Sequence, residues 1–312
     1  MHGLFAGVPT PPLQTGRLPV CAPRHDAQPS LYDSADRGAA GARVSDEELL
    51  TRLVEAIQGR REYRGLCTDL VRRIAAREWA NRRDFRQALK ASRSRLHQIA
   101  GAYLEGRPEY GRWLQALRES RGKPEAFRET CRTILARQAS TRERLPILDR
   151  FYQTLLADLP PLRAVLDLAC GLHPLGLPWM ALPAGTEYYA CDIYQDLVDF
   201  LNGFFALGPN PGRAEVRDIL HDPPALKADL AWLLKAVPCL DRLDRGGVPR
   251  LLDTLEVRYW IISFPVQSLH GKEKGMVRTY EERFRELAAG RPWDVERFLF
   301  PTELVFRVTC KT

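Results

Sequence analysis

The second half of the chain alternates short apolar runs with turns and helical segments, beginning at Leu162. Each run is short enough for a buried parallel strand. The first five runs are 164–168, 188–191, 214–216, 230–234 and 259–263. Two more, 297–300 and 304–308, flank Pro301 and are typical of a closing antiparallel pair. Seven strands in this order predict an α/β, doubly wound sheet of the Rossmann-like type.

The part of the chain before this sheet has helical periodicity. Ser45 followed by Glu48 is a capping-box pattern ahead of apolar residues at helical spacing, and Gly59 is suited to end that helix. Residues 1–42 contain six prolines and five glycines without any period. We therefore predict a disordered extension over 1–42, a small basic helical domain over 43–137 and the sheet domain over 138–312.

Charge is distributed unevenly between these regions. The formal net charge of the chain is +7, yet residues 43–150 contain 25 Lys and Arg against 15 Asp and Glu. The rest of the chain therefore carries a small net negative charge. A basic half beside a nearly neutral half favours a polyanionic partner such as nucleic acid, although a basic surface can also simply be solvated.

Other features narrow the class of protein. The seven cysteines are scattered and form no C-x-x-C pair, which favours free thiols in a reducing compartment over a zinc site. No stretch approaches the roughly 20 apolar residues of a membrane span. We expect a cytoplasmic protein, monomeric, without a metal and without membrane contact.

Three aspartates fall at the carboxyl ends of predicted strands, where doubly wound sheets bind ligands. Asp167 lies in the first strand, ahead of Ala169 and Gly171, whose small side chains let a ligand pass close to the backbone. Asp192 closes the second strand, where a carboxylate can accept hydrogen bonds from two ribose hydroxyls. Asp218 follows the third strand and could accept from an adenine amino group.

Each aspartate alone has a plainer explanation, because aspartate after a strand is commonly a helix N-cap. The glycine signature is also incomplete, since Ala169 and His173 replace two of three expected glycines. No G-x-G-x-x-G opens a helix, which disfavours a dinucleotide phosphate. The spacing is therefore compatible with a nucleoside-containing cofactor without proving one.

Five motifs occur in the order of one family. They are LHQIAGAY at 96–103, ASTRERL at 139–145, DLACGLHPL at 167–175, LLKAVPCL at 233–240 and SFPVQSLHGKEKGM at 263–276. Together they resemble the aminoglycoside-resistance 16S rRNA (guanine(1405)-N7)-methyltransferases. The resemblance covers the chain from about Ser45 to the C-terminus. Two departures are His173, where the family has asparagine, and the long N-terminal extension.

The resemblance implies S-adenosyl-L-methionine as cofactor and assigns residues to its pocket. The implied cofactor contacts are Gln138, Ala139, Ser140, Arg144, Ala169, Gly171, Asp192, Asp218, Ile219 and Leu234. Arg144 would pair with the methionine carboxylate. Without the resemblance, Arg144 would be interpreted as a surface arginine. Asp192 would bind the ribose, and Asp218 and Ile219 would contact the adenine. Leu234 would pack on the cofactor. Asp167 would shape the loop, and His173 would form a local hydrogen bond.

The resemblance also implies 16S rRNA in the assembled 30S subunit as partner. The implied RNA contacts are Arg72, Arg73, Arg82, Arg83, Arg86, Lys90, Arg93, Arg95, Lys272 and Lys274. The expected reaction is methyl transfer to guanine N7, without a catalytic general base, giving aminoglycoside resistance. Two alternatives remain at this point: methylation of another rRNA position such as adenine N1, and a catalytically idle RNA-binding protein.

Overall fold

The computed structural model describes residues 45–100, 108–266 and 276–311, together with the backbone of Thr15–Arg17. The helices in these ranges are α1 (Asp46–Gln58), α2 (Thr68–Arg82), α3 (Phe85–Ala100), α4 (Tyr110–Ser120), α5 (Pro124–Leu135), α6 (Ala139–Arg142), α7 (Leu148–Leu156), α8 (Leu177–Met180), α9 (Gln195–Phe205), α10 (Val237–Leu243), α11 (Gly247–Thr254) and α12 (Met276–Ala288). The strands are β1 (Thr15–Arg17), β2 (Ala164–Leu168), β3 (Glu187–Asp192), β4 (Gly212–Val216), β5 (Lys227–Leu234), β6 (Glu256–Pro265), β7 (Trp293–Phe300) and β8 (Glu303–Cys310).

The strands form one mixed sheet in the order β1-β7-β8-β6-β5-β2-β3-β4. Strands β6, β5, β2, β3 and β4 are parallel, and β8, β7 and β1 continue the sheet in antiparallel fashion. From β2 the chain moves outward through β3 to β4, then returns to the other side of β2 for β5. The switch in strand order therefore lies between β2 and β5, where doubly wound sheets open a crevice. All seven predicted strands are present, which confirms the predicted fold class.

Helices cover both faces of the sheet. The core on one face includes apolar side chains from α1, α2, α3, α10, α11 and α12. The core on the other face includes side chains from α4, α5, α7 and α9. The helices of the basic segment thus share the apolar cores of the sheet on both sides. The domain boundary between 137 and 138 stays an interpretation of the sequence.

The first helix begins as its sequence indicates. Glu48 N donates to Ser45 Oγ at 3.1 Å, and Ser45 N donates to Glu48 Oε2 at 2.8 Å, which completes the capping box. The helix ends before Gly59. Backbone hydrogen bonds tie the following loop to the sheet: Cys67 N donates to Ile193 O at 2.8 Å, and Gln195 N donates to Gly65 O at 2.8 Å. The helical segment is therefore joined directly to the carboxyl end of β3.

The extension differs from the prediction in one short segment. Thr15–Arg17 pairs antiparallel with β7, with Arg17 opposite Glu296. The outer edge of β7 offers unpaired backbone N–H and C=O groups, and an extended segment can satisfy them whatever its side chains. The rest of 1–42 lies outside the described residues. Among the residues that the structure describes, no helix is long and apolar enough to cross a membrane.

Candidate functional site

A cavity opens at the carboxyl ends of β2, β3 and β5, beside the switch in strand order. Its walls come from both halves of the chain, because Leu70, Ile99 and Tyr110 of the helical segment face the loops that follow the strands. Eight of the ten predicted cofactor contacts line it. They are Gln138, Ser140, Ala169, Gly171, Asp192, Asp218, Ile219 and Leu234. Ala139 and Arg144 are not among its lining residues.

The loop after β2 depends on two residues with left-handed backbone. Ala169 has φ 51° and Gly171 has φ 53°. A Cβ at Gly171 would overlap the Gln138 side-chain amide, and the left-handed φ would strain any other residue, so glycine suits both the backbone and the Gln138 contact. Leu172 N donates to Gln138 Oε1 at 2.7 Å. Gln138, at the start of α6, therefore holds the loop that forms the cavity wall.

Asp192 ends β3 and is buried against the same loop. Its Oδ2 accepts from Gly171 N at 2.8 Å, and its Oδ1 accepts from its neighbour Ile193 N at 2.7 Å. Burial raises the pKa of Asp192 above its usual value, while these backbone N–H groups oppose the rise. A carboxylate has about four acceptor positions, so both oxygens can still accept from a ligand.

Asp218 follows β4 and receives an arginine from the helical segment. Arg73 Nε donates to Asp218 Oδ2 at 2.9 Å, and Arg73 Nη2 donates to the same oxygen. The other oxygen, Oδ1, accepts no hydrogen bond from any residue in the described ranges. Sequence reasoning assigned Arg73 to RNA, but its guanidinium lies behind the cavity wall.

Arg144 is fully buried and already has a carboxylate partner. Its Nε donates to Glu303 Oε2 at 3.0 Å and its Nη2 to Glu303 Oε1 at 2.7 Å, with the guanidinium 4.6 Å from the centre of the Phe151 ring. Burial would raise the pKa of Glu303, but the charges of Arg144 and Lys235 lower it below its usual value. Pairing of Arg144 with a methionine carboxylate stays a prediction.

Two cations do line the cavity, Arg217 and Lys235, and sequence reasoning singled out neither. Lys235 lies close to the pair of Arg144 and Glu303. Its backbone is left-handed, with φ 55°, and its Nζ lies 2.6 Å from Glu143 Oε2 and 3.7 Å from Glu303 Oε2. A signal was present in the sequence, since Lys235 directly follows the apolar run 230–234. The aromatic wall was missed as well: Tyr110 lines the cavity and stacks on Phe200 with ring centres 5.2 Å apart.

Asp167 and His173 form a buried cluster beneath the loop. Asp167 Oδ2 lies 2.8 Å from His173 Nδ1 and accepts from the Tyr188 hydroxyl at 2.8 Å. Neither Asp167 nor His173 lines the cavity. This arrangement agrees with the interpretation that Asp167 shapes the loop and that His173 bonds locally.

Some of the predicted RNA contacts are exposed side chains, and others are engaged in hydrogen bonds or ion pairs within the protein. Arg82, Arg83, Arg86 and Lys90 are exposed around the junction of α2 and α3. Arg82 and Arg83 each touch one acidic neighbour there, Glu78 and Asp46. The Arg83–Asp46 pair is exposed on both sides, and such a surface pair is weak and leaves the cation free to meet a phosphate. Arg82 is itself exposed but pairs with the buried Glu78.

Other members of that set are engaged inside the protein. Arg93 Nη2 donates to Ala56 O at 2.6 Å, and Arg95 Nε lies 3.7 Å from Glu78 Oε1. Arg72 pairs with Glu47 and is partly exposed. Lys272 and Lys274 lie outside the described residues.

Comparisons with known proteins agree with this site. A family model described as ribosomal RNA methyltransferase (FmrO) matches residues 59–307. A 16S rRNA (guanine(1405)-N(7))-methyltransferase of Frankia casuarinae is 36% identical over 278 residues, which cover 88% of this chain and 98% of the relative. A protein of the same name from Micromonospora echinospora is 34% identical over 264 residues, covering 83% of this chain and 96% of the relative.

A solved structure of a 16S rRNA methyltransferase has a similar fold. The 16S rRNA methyltransferase RmtF, crystallised with S-adenosyl-L-homocysteine, aligns with a TM-score of 0.73 and 29% identity over 85% of this chain and 99% of that one. The resemblance found in the sequence motifs is thereby confirmed. The chain belongs to the family of ribosomal RNA methyltransferases that includes the 16S rRNA (guanine(1405)-N7)-methyltransferases.

Proposed function

We propose that this protein transfers a methyl group from S-adenosyl-L-methionine to N7 of guanine 1405 of 16S rRNA in the assembled 30S subunit. The observation that carries the proposal is the cavity at the switch point, with Asp192 and Asp218 at the ends of neighbouring strands. Relatives that carry this activity in their names align over most of the chain at 34–36% identity. The RmtF structure holds the demethylated form of the same cofactor.

The residues of the cavity fit such a cofactor. Asp192 keeps acceptor positions for ribose hydroxyls, and Asp218 Oδ1 is unengaged among the described residues. Gly171 and Ala169 keep the loop at the cavity wall free of large side chains, and Leu234 and Ile219 supply apolar walls. When bound, the cofactor supplies an electrophilic methyl group on a sulfonium. Such a donor is already activated, so we propose that no metal ion takes part.

The proposed reaction requires no proton transfer to or from a side chain of this protein. Guanine N7 carries an in-plane lone pair and is unprotonated near neutral pH, so its attack removes no proton. The protein must instead align the base with the methyl group and exclude water from the cavity. Asp167 and His173, the buried acid–base pair beneath the loop, do not line the cavity, and neither does His221 beside Asp218. We therefore assign no general base.

The exposed basic residues would hold the subunit. We propose that Arg82, Arg83, Arg86 and Lys90 contact rRNA phosphates, which position an RNA without reading its sequence. Folded rRNA is recognised largely by shape, and the target base must leave its stack to reach the cavity. The enzyme would work as a monomer in the cytoplasm, where assembled subunits are found.

The decisive experiment maps the methylated nucleotide. Purified 30S subunits are incubated with the protein and S-adenosyl-L-methionine, then treated with borohydride and aniline, which cleave RNA at N7-methylguanosine. We expect one cleavage, at guanine 1405, and much less with naked 16S rRNA. The matched control is Asp192→Asn, which should abolish the signal.

The competing outcomes are distinct. A reverse-transcription stop at an adenine of the decoding region, without aniline cleavage, would show methylation of adenine N1 instead. A protein that binds subunits and leaves them unmodified would be an idle RNA-binding protein. Expression in a susceptible bacterium should raise its tolerance of aminoglycosides if guanine 1405 is the target.

A further inference from the structure

The ion pair between Arg73 and Asp218 joins two parts of the chain that sequence analysis assigned to different tasks. Arg73 lies on α2, in the basic segment, and Asp218 follows β4 at the cavity. The side chain of Asp218 is 6% exposed and that of Arg73 is 26% exposed, so the pair is largely shielded from water. Charged hydrogen bonds are strong in such a setting, and their geometry is well defined.

The arginine occupies one oxygen of the carboxylate and leaves the other. Both Arg73 Nε and Arg73 Nη2 donate to Oδ2. His221 Nδ1 is 3.6 Å from the same oxygen, and Arg73 and His221 are the side chains that pair with Asp218 among the described residues. Oδ1 is therefore held in a fixed direction without a partner of its own. An acceptor prepared in this way loses less entropy when a ligand donor reaches it.

We propose that Arg73 is a positioning residue of the cofactor site: it fixes the Asp218 carboxylate so that Oδ1 accepts from the amino group of adenine. Arg73 then belongs to nucleoside recognition and not to the RNA-binding surface. The inference rests on the proposed function, since it requires that the cavity binds an adenine nucleoside.

Two of the arginine's three guanidinium nitrogen atoms are committed to Asp218 and not to the surface. Its neighbour Arg72 points to Glu47 at the surface, whereas Arg73, one residue on, is turned by about 100° around the helix toward the sheet. A phosphate that took over the Nε and Nη2 donors would leave a buried carboxylate without its cation, which is costly.

The test compares two ligands that differ at the adenine amino group. Titration calorimetry measures the affinity of the full-length protein for S-adenosyl-L-homocysteine and for S-inosyl-L-homocysteine, in which an oxygen replaces the amino group. The wild type should prefer the adenine ligand. Arg73→Ala should weaken S-adenosyl-L-homocysteine binding about tenfold, the scale of one hydrogen bond to a charged group, and should change S-inosyl-L-homocysteine binding by less than about twofold.

Two further variants make the result specific. Arg73→Lys keeps the positive charge but cannot donate from two nitrogen atoms. Its preference for S-adenosyl-L-homocysteine over S-inosyl-L-homocysteine should lie between those of the wild type and Arg73→Ala. In the Asp218→Asn background, Arg73→Ala should weaken S-adenosyl-L-homocysteine binding little further, because the two residues act as one unit. Arg112→Ala is the matched control: this arginine forms an exposed pair with Glu109 in the same helical segment, and its removal should leave both affinities unchanged.

The possible outcomes separate the explanations. Equal weakening of both ligands in Arg73→Ala and Arg73→Lys would mean that Arg73 only supports the fold, and would overturn the proposal. Unchanged ligand affinities with lost 30S binding in a pelleting assay would make Arg73 an RNA contact, and would also overturn it. Failure of the wild type to bind S-adenosyl-L-homocysteine would instead refute the proposed function. If Arg73→Ala fails to fold, Arg73→Lys carries the test.

Discussion

The helical segment 45–137 and the sheet segment 138–311 use their charges in opposite ways. In the interior of the sheet segment, beside the cavity, charged side chains are buried and paired, as in Arg144 with Glu303 and Lys235 with Glu143. In the helical segment, the cations at the junction of α2 and α3 remain exposed. Buried charges require partners, whereas exposed ones remain free for an external polyanion.

The comparison also shows that a basic segment is not a uniform surface. Arg82 and Arg86 face solvent, but Arg73 bonds to Asp218 of the cavity wall and Arg93 bonds to a backbone carbonyl. A count of arginines therefore overstates the number available to RNA. If the two segments are as separable as their charges suggest, a change in one should leave the binding partner of the other unaffected.

The largest effect should come from reversing the exposed cations. The triple variant Arg82→Glu, Arg83→Glu and Arg86→Glu should weaken 30S binding roughly a thousandfold, since each reversal removes one phosphate contact and adds a repulsion. Its affinity for S-adenosyl-L-homocysteine should not change. Subunit pelleting and titration calorimetry measure the two quantities.

A control with the same charge change sharpens this prediction. Arg163, Lys227 and Arg258 are exposed near the amino ends of the strands, opposite the cavity. Their triple reversal to glutamate should affect subunit binding far less. Equal loss in both triple variants would mean that overall charge, rather than a particular surface, attracts the subunit.

The complementary change in the sheet segment is Asp192→Ala. It should weaken cofactor binding about a hundredfold, because it removes the ribose acceptor and the carboxylate that holds Gly171 N. Binding to 30S subunits should persist. Asp199→Ala, on the exposed face of α9, is the control and should preserve cofactor affinity. Loss of subunit binding in Asp192→Ala would show that the segments are not separable.

Salt should also distinguish the two segments. Four phosphate contacts, each with a slope of about −0.7 to −0.9, should reduce subunit affinity about 50- to 150-fold between 50 and 200 mM salt. Cofactor affinity should hardly change over the same range, because its partners are buried. A subunit affinity insensitive to salt would mean that the exposed cations are only solvated.

The smallest effect is expected at His173. The single-turnover rate of His173→Asn at saturating cofactor should stay within about tenfold of the wild type and be flat from pH 6.5 to 8.5, because N7 attack releases no proton. Quench-flow with 30S subunits measures it. His173→Ala should lower the free energy of unfolding by about 1–3 kcal/mol, since Asp167 loses a buried partner. A thousandfold loss of rate in His173→Asn, with binding intact, would mean that the target atom is wrong.

Much of this architecture could be predicted from the sequence because it depends on local patterns. Short apolar runs gave the seven strands, and the pair Ser45 and Glu48 gave the start of α1. Asp192 and Asp218 could be placed at the cavity because parallel strands all end at the same edge of the sheet. The motifs from 96 to 276 were enough to identify the family.

The tertiary structure alone decided which charges meet. Arg73 and Asp218 are 145 residues apart in the chain, and Arg144 and Glu303 are 159 apart. No periodicity relates residues at such separations, so the sequence could not show that Arg73 turns inward or that Arg144 already has a carboxylate partner. Local propensity fixes where a helix begins and which of its faces is apolar. Only the packing of that face against a distant strand determines the partner of each polar side chain, because a buried charge is stable only beside its counterion.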